Sequence, residues 1–240
     1  MVFARIINLE SRPDRWKRLS QLGIQRFDAI RLTAPTALSL RAYCDSQHSR
    51  KSHEALHGLG ANGCALSHIG VWKAFLESRE EVCVVFEDDI QAVSLHPYIR
   101  QAEKDLQTSD ITLLGWCGHL HAVWGNLRGN QVIPWPKSCG FVGAHAYAMT
   151  RKSAEILVKH ALPLEMQVDY YIQARAAKES LRISITPLKK IRQVYTGSDV
   201  FTVCLMCEPL YPMLLGLVIA VLLMKSLRFW SLETVPPTVP

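Results

Sequence analysis

The 240 residues contain no block of lysines or arginines and no basic stripe interleaved with aromatics. A net charge of +6 and a pI near 9.0 attract anions in general. Without such a block, nucleic acid is the least favoured anionic partner, behind nucleotide diphosphates and acidic lipid surfaces. The start of the chain lacks a charged segment followed by a long apolar one, so no signal peptide is expected. The seven cysteines are odd in number and irregularly spaced, which argues against a disulfide framework and for reduced thiols in a cytosolic setting. Cys204-x-x-Cys207 has no second pair and sits in an apolar tail, so it is poor evidence for zinc. Internal repeats are absent. Charged residues amount to only 20% against 49% apolar, which excludes a largely disordered chain and suffices for one domain with a full core.

What is present alternates between strand-like and helical patterns. Residues 2–7 read as a first strand, and Pro13 opens a helix at the position proline favours. Residues 29–58 have no clear period and read as a long loop. Residues 64–78 carry apolar side chains at 66, 69, 72, 75 and 76, an amphipathic helix. Strands follow at 82–86, 111–115, 142–150 and 181–186, and helices near 96–106, 152–161 and 169–178. Residues 117–140, rich in Gly, Trp and Pro, read as a surface loop. This alternation predicts an α/β fold, a mostly parallel sheet flanked by helices. The expected organisation is one domain over 1–203 and a C-terminal apolar tail over 204–240.

The run Val82-Cys83-Val84-Val85-Phe86 ends in three acids, Glu87-Asp88-Asp89. Carboxylates at the carboxyl end of a buried strand sit where open α/β sheets bind ligands. So close together they repel unless a cation or a hydrogen-bonding ligand offsets their charge.

Gly63-Cys64-Ala65-Leu66-Ser67-His68, then Trp72, then the strand into Glu87-Asp88-Asp89 resembles the core signature of glycosyltransferase family 25. Further blocks occur in the same order: Ile6-Ile7-Asn8-Leu9 with Arg12, Asp14 and Arg15; the stretch from Ala146 to Ala154; Val168-Asp169; and Ser198-Asp199-Val200. The resemblance spans about residues 3 to 200. It implies a GT-A-like domain that moves a hexose, galactose from UDP-galactose, onto a lipooligosaccharide-type glycan or glycolipid acceptor. It also implies an inverting reaction and offers Asp169 and Asp199 as late acids, with Asp169 the first choice of general base. Two departures stand out. Ala61 occupies a position where the family has a Glu, and the apolar tail follows the last motif.

Transfer from a nucleotide diphosphate requires the leaving diphosphate to be neutralised, which Mn²⁺ or Mg²⁺ on one or two carboxylates provides. Asp89 is the first expected metal ligand and Glu87 the second, since both project to one side if the strand continues. Asp88 then faces the other way, toward the ribose or bracing the loop. Arg12 and Arg15 are expected on phosphate oxygens, and Asn8 on the base or ribose. Ser67 and His68, at the start of the predicted helix, are expected to hold phosphate at its N-terminus. Trp116 and Tyr147 are candidates for stacking on sugar.

Two other readings stand beside this one. His53-Glu54-Ala55-Leu56-His57 fits H-E-x-x-H, the zinc metalloprotease pattern, although Gly63 occupies the place of a third histidine. An inactive, membrane-tethered module that binds glycan or nucleotide is the other. For the tail, residues 209–224 are uncharged and span about 24 Å as a helix, which extension through Trp230 would bring to bilayer length. Basic residues before this segment outnumber those after it, so the catalytic domain is expected on the cytosolic face with the tail as anchor.

Overall fold

The computed structural model describes residues 2–32, 58–116, 143–164 and 166–194, together with the backbone of 133–134. The expectations for His53, Glu54, His57, Asp199, Cys204, Cys207 and residues 209–224 lie outside the described residues. The chain divides into two units, Met1–Thr202 and Val203–Pro240, and every described residue belongs to the first.

The elements in order are β1 (Val2–Asn8), α1 (Pro13–Leu19), a 3₁₀ turn (Ser20–Leu22), β2 (Gln25–Asp28), α2 (Gly58–Glu77), β3 (Val82–Glu87), β4 (Ile90–Gln91), α3 (His96–Asp105), β5 (Ile111–Leu113), β6 (Ile133–Pro134), β7 (Ala146–Thr150), α4 (Arg151–Lys159), α5 (Val168–Lys178), β8 (Ile183–Ile185) and β9 (Arg192–Gln193). Seven strands form one sheet in the order β2-β1-β3-β7-β5-β8-β6, and β4 pairs with β9 apart from it. In the large sheet β2, β1, β3, β5 and β8 share a direction, while β7 and β6 run against it. The sheet is therefore mostly parallel, with β7 inserted antiparallel between β3 and β5.

Alternation along the strands divides the core in two. Phe3, Cys83, Val85, Leu113, Tyr147 and Met149 face one side, packed with Trp72 and Phe75 of α2, Leu157 of α4 and Ile172 of α5. Ile6, Val84, Phe86, Ala146 and Ala148 face the other, against Leu19 of α1 and Leu95 and Ala102 at α3. Strands buried on both faces explain the unbroken apolar run at 82–86.

Helix α2 begins six residues earlier than its apolar period predicts, at Gly58, and runs through Gly60 and Gly63. At Gly63 the missing side chain serves packing: a Cβ there would lie 2.5 Å from the Ile30 carbonyl oxygen. The same approach lets the Ile30 N–H donate to Ser67 Oγ at 2.8 Å. At the other end of α2, Arg151 donates to the carbonyls of Leu76, Ser78 and Glu80 at 3.0, 2.7 and 2.9 Å. A basic residue brought in by α4 thus satisfies the carbonyls that the helix end leaves open.

Candidate active site

From β1 the chain goes to β2 on one side and later to β3 on the other, so the crevice at the carboxyl ends of β1 and β3 is a topological switch point. The register pairs Ile7 with Glu87. It therefore brings Asn8 level with the acidic triplet. β3 ends at Glu87, and Asp88 and Asp89 form a turn, so the alternation expected from a longer strand does not extend to Asp89.

The three acids separate by partner. Asp88 is buried: its carboxylate accepts from Arg15 Nη1 and from Asn8 Nδ2, each at 2.7 Å. Its carbonyl accepts from Arg18 Nη2 at 3.0 Å. Arg15 and Asp88 are each less than a tenth exposed, so this is a buried, mutually neutralising pair that braces α1 against the turn. Asp88 takes the bracing role of the two expected for it. Arg12, expected on phosphate, forms a surface pair with Asp14 at 3.0 Å.

Glu87 keeps about a fifth of its side chain exposed and meets His68 Nε2 at 3.1 Å. Burial alone would raise its pKa. The hydrogen bond from His68, helped by the nearby charge of Arg15, instead brings it below the ordinary carboxylate value. Asp89 goes the opposite way: burial first, then the charge of Glu87, pushes its carboxyl up to about 7. Asp89 Oδ2 accepts from Gln193 Nε2 at 2.8 Å, a contact set up by the pairing of β4 with β9.

Ser67 and His68 do not start a helix. They lie well inside α2, so the expected phosphate contact at a helix N-terminus is corrected. Ser67 Oγ donates to the Gly63 carbonyl at 2.7 Å and serves the docking of Ile30. His68 is fully buried, between Glu87 and the Tyr147 hydroxyl, which lies 2.8 Å from Nδ1. Tyr147 and Trp116 are core side chains, 1% and 2% exposed, and offer no open face for a sugar.

Asp169 lies in the first turn of α5 but is not its cap, which is Gln167. Its two oxygens accept the backbone N–H groups of Gly143 and Tyr170 at 2.8 and 2.9 Å. Burial raises its pKa, tempered by the Gly143 bond. The Cys64 thiol is pushed up by burial and by the charges of Glu87, Asp169 and Asp89. Of these acids Glu87 is in contact, with its Oε1 3.9 Å from the Cys64 sulfur. Cys64, His68 and Glu87 also offer three ligand atoms within 4.8 Å of one another.

This edge is rich in acceptors without donors. Asn8 Oδ1, Asp89 Oδ1 and His145 Nδ1 are buried and have no hydrogen-bond partner among the described residues. Each is assigned by its neighbours. Asn8 Nδ2 is occupied by Asp88 and by the Arg12 carbonyl, and His145 Nε2 faces the Ile191 carbonyl at 3.1 Å. Unpaired buried acceptors are costly, and a cation or a ligand bearing N–H and O–H groups would complement them. Sequence reasoning missed His145 and Gln193, and no spacing signal marks either. Cys64 and His68 are four apart on a helix, a spacing that could have flagged them as neighbours.

The class defined by this fold and edge is an α/β protein with an acceptor-lined crevice at its switch point. Residues 1–118, just under half of the chain, match the model of glycosyltransferase family 25 (LPS biosynthesis protein). The match identifies the protein as a glycosyltransferase. The blocks around residues 146–154, 168–169 and 198–200 lie beyond that match. Among solved structures, the CMP:2-keto-3-deoxy-manno-octonic acid synthetase complexed with CTP is similar at 12% identity and TM-score 0.41, covering 93% of this chain and 99% of that one. A protein assigned as a nucleotide-diphospho-sugar transferase from Desulfovibrio desulfuricans G20 is similar at 11% identity and TM-score 0.42, covering 90% and 94%. A197 from STIV is similar at 14% identity and TM-score 0.41, covering 85% and 98%. No curated protein matches the chain.

Proposed function

We propose that the chain transfers a hexose, galactose from UDP-galactose, onto a lipooligosaccharide-type glycan acceptor with inversion, aided by Mn²⁺ or Mg²⁺. The family match supports sugar transfer. The observation that carries the metal is the unpartnered, buried Asp89 Oδ1 beside a second carboxylate, Glu87. Hard oxygen donors of this kind suit Mg²⁺ and Mn²⁺. Asp89 and Glu87 would hold the ion, which when bound neutralises charge on the departing diphosphate.

The other residues act around that centre. Asn8 Oδ1 accepts a hydrogen bond from the base or ribose. Arg12 turns from Asp14 to a phosphate oxygen. Arg15 and Asp88 hold Asn8 in place. Asp169, raised by burial, accepts the proton of the acceptor hydroxyl, and Asp199 is the further acid.

A screen of purified protein with UDP-sugars and Mn²⁺ tests the reading, scored as sugar-nucleotide consumption with and without glycan acceptor. UDP-galactose is expected to be consumed, and only with metal. Binding of UDP without consumption of any donor would instead support the inactive module, the reading that Ala61 suggests; Ala61 itself is packed in the core.

For the tail, we propose that residues 209–224 anchor the domain at the cytosolic face of a membrane. Among the described residues no helix is long and apolar enough to cross one. Full-length protein is expected to stay with membranes through a high-salt wash, and the chain lacking 205–240 to be soluble and folded. An aggregated truncation would make the segment a core element.

A further inference from the structure

Behind Glu87 lies a chain of buried polar side chains that packing alone does not require. Trp72 Nε1 donates to the Tyr147 hydroxyl oxygen at 2.8 Å, that oxygen lies 2.8 Å from His68 Nδ1, and His68 Nε2 lies 3.1 Å from Glu87 Oε1. Trp72, Tyr147 and His68 are at most 1% exposed. They come from α2 and β7, and the chain ends on β3.

The direction of the protons follows from the donors available. Indole N–H can only donate, so the Tyr147 oxygen accepts from Trp72, and among the described residues the acceptor within reach of its own proton is His68 Nδ1. Nδ1 is then an acceptor, and Nε2 carries the ring proton toward Glu87. Every bond points at the carboxylate. Both contacts of that carboxylate fall on Oε1, from His68 at 3.1 Å and from the Cys64 thiol at 3.9 Å. Oε2 takes part in no hydrogen bond among the described residues, and it belongs to the side chain that keeps a fifth of its surface open.

We propose that His68 is a positioning residue: through Tyr147 and Trp72 it fixes Glu87 by Oε1 and leaves Oε2 as the oxygen offered to the incoming ligand. This rests on the proposed role of Glu87 as a carboxylate of the transfer site. The same tautomer places a proton on the His68 nitrogen that faces Glu87. That proton bars the three from acting as a ready-made zinc site, since a metal-bound imidazole nitrogen must be unprotonated. Buried second partners of a ligating carboxylate typically matter about tenfold or more in metal affinity.

The test has two arms. Long-range proton–nitrogen NMR on histidine-labelled full chain, with the His68 signal assigned by its loss in His68→Gln, should show the proton on Nε2. A proton on Nδ1 overturns the proposal. In the second arm, Mn²⁺ binding in the presence of UDP is measured by water-proton relaxation. Tyr147→Phe and His68→Leu should each weaken it about tenfold. His68→Gln, which keeps an N–H for Glu87 and a carbonyl for Tyr147, should remain close to the parent. In a Glu87→Gln background Tyr147→Phe should add nothing, because its effect passes through the Glu87 carboxylate. Equal losses in both backgrounds would mean a loosened core and sink the idea. If the parent consumes no UDP-sugar, the transfer reading fails, while the NMR arm still decides the relay.

Discussion

Asp89→Ala is expected to lower sugar transfer about a thousandfold, the several kcal/mol that charge neutralisation by a metal contributes. The fold should survive, and the free protein should become more stable. The carboxyl is buried, with one oxygen unpartnered and its pKa pushed up to about 7. The sign follows from that direction. A group that binds its proton more tightly folded than unfolded stabilises the fold below its unfolded pKa, near 4 for Asp. That contribution is lost as pH rises through the folded value. Thermal melts of the metal-free protein should therefore show stability falling between about pH 4 and 7 in the parent, with a smaller fall in Asp89→Asn. Metal binding needs the ionised form, so UDP affinity in Mn²⁺ should rise over the upper part of the same range. Full turnover in Asp89→Ala, or in excess EDTA, would end the metal-assisted mechanism.

Arg15→Met should produce the largest loss of stability, about 3–5 kcal/mol, because it strands a buried carboxylate. For a domain of this size that corresponds to a fall in Tm of about 6–20 °C. Asn8 Nδ2 would still donate to Asp88, at 2.7 Å, but a neutral amide cannot balance the charge. Pairing Arg15→Met with Asp88→Asn should recover much of the loss, since the second change removes the stranded charge. A melting temperature for Arg15→Met within about 1 °C of the parent would show that the pair is not buried in solution. The same cycle bears on the site, because Asp88 also fixes the amide of Asn8. A variant that keeps its fold but loses this grip should bind UDP more weakly.

The sequence carried the acids, the strand beneath them and the first helix start, because each of these is local. An apolar run meeting carboxylates and a proline at the head of a helix can both be read within ten residues. Partners that come from far along the chain could not be read so. Nothing near Asp88 says that Arg15 will take it rather than Asp89, and nothing near Asp89 points to Gln193, since two-residue strands have no period to detect. The start of α2 was misplaced for a related reason. The apolar period put it at residue 64, whereas the helix already runs through Gly63, packed closely on Ile30. His68 was placed at a helix start by the same error, and its burial between Tyr147 and Glu87 depends on β7, some eighty residues later.

The small pairing of β4 with β9 also sets an order in time. Asp89 and Gln193 lie 104 residues apart in the chain. At ribosomal rates of about 5–20 residues per second, the acid leaves the tunnel roughly 5–20 s before the amide that will hold it. Throughout that interval the growing chain carries all three carboxylates, with Arg15 already made but Tyr147 and Gln193 still to come. The N-terminal acids thus spend their first seconds without the lattice that later tunes them.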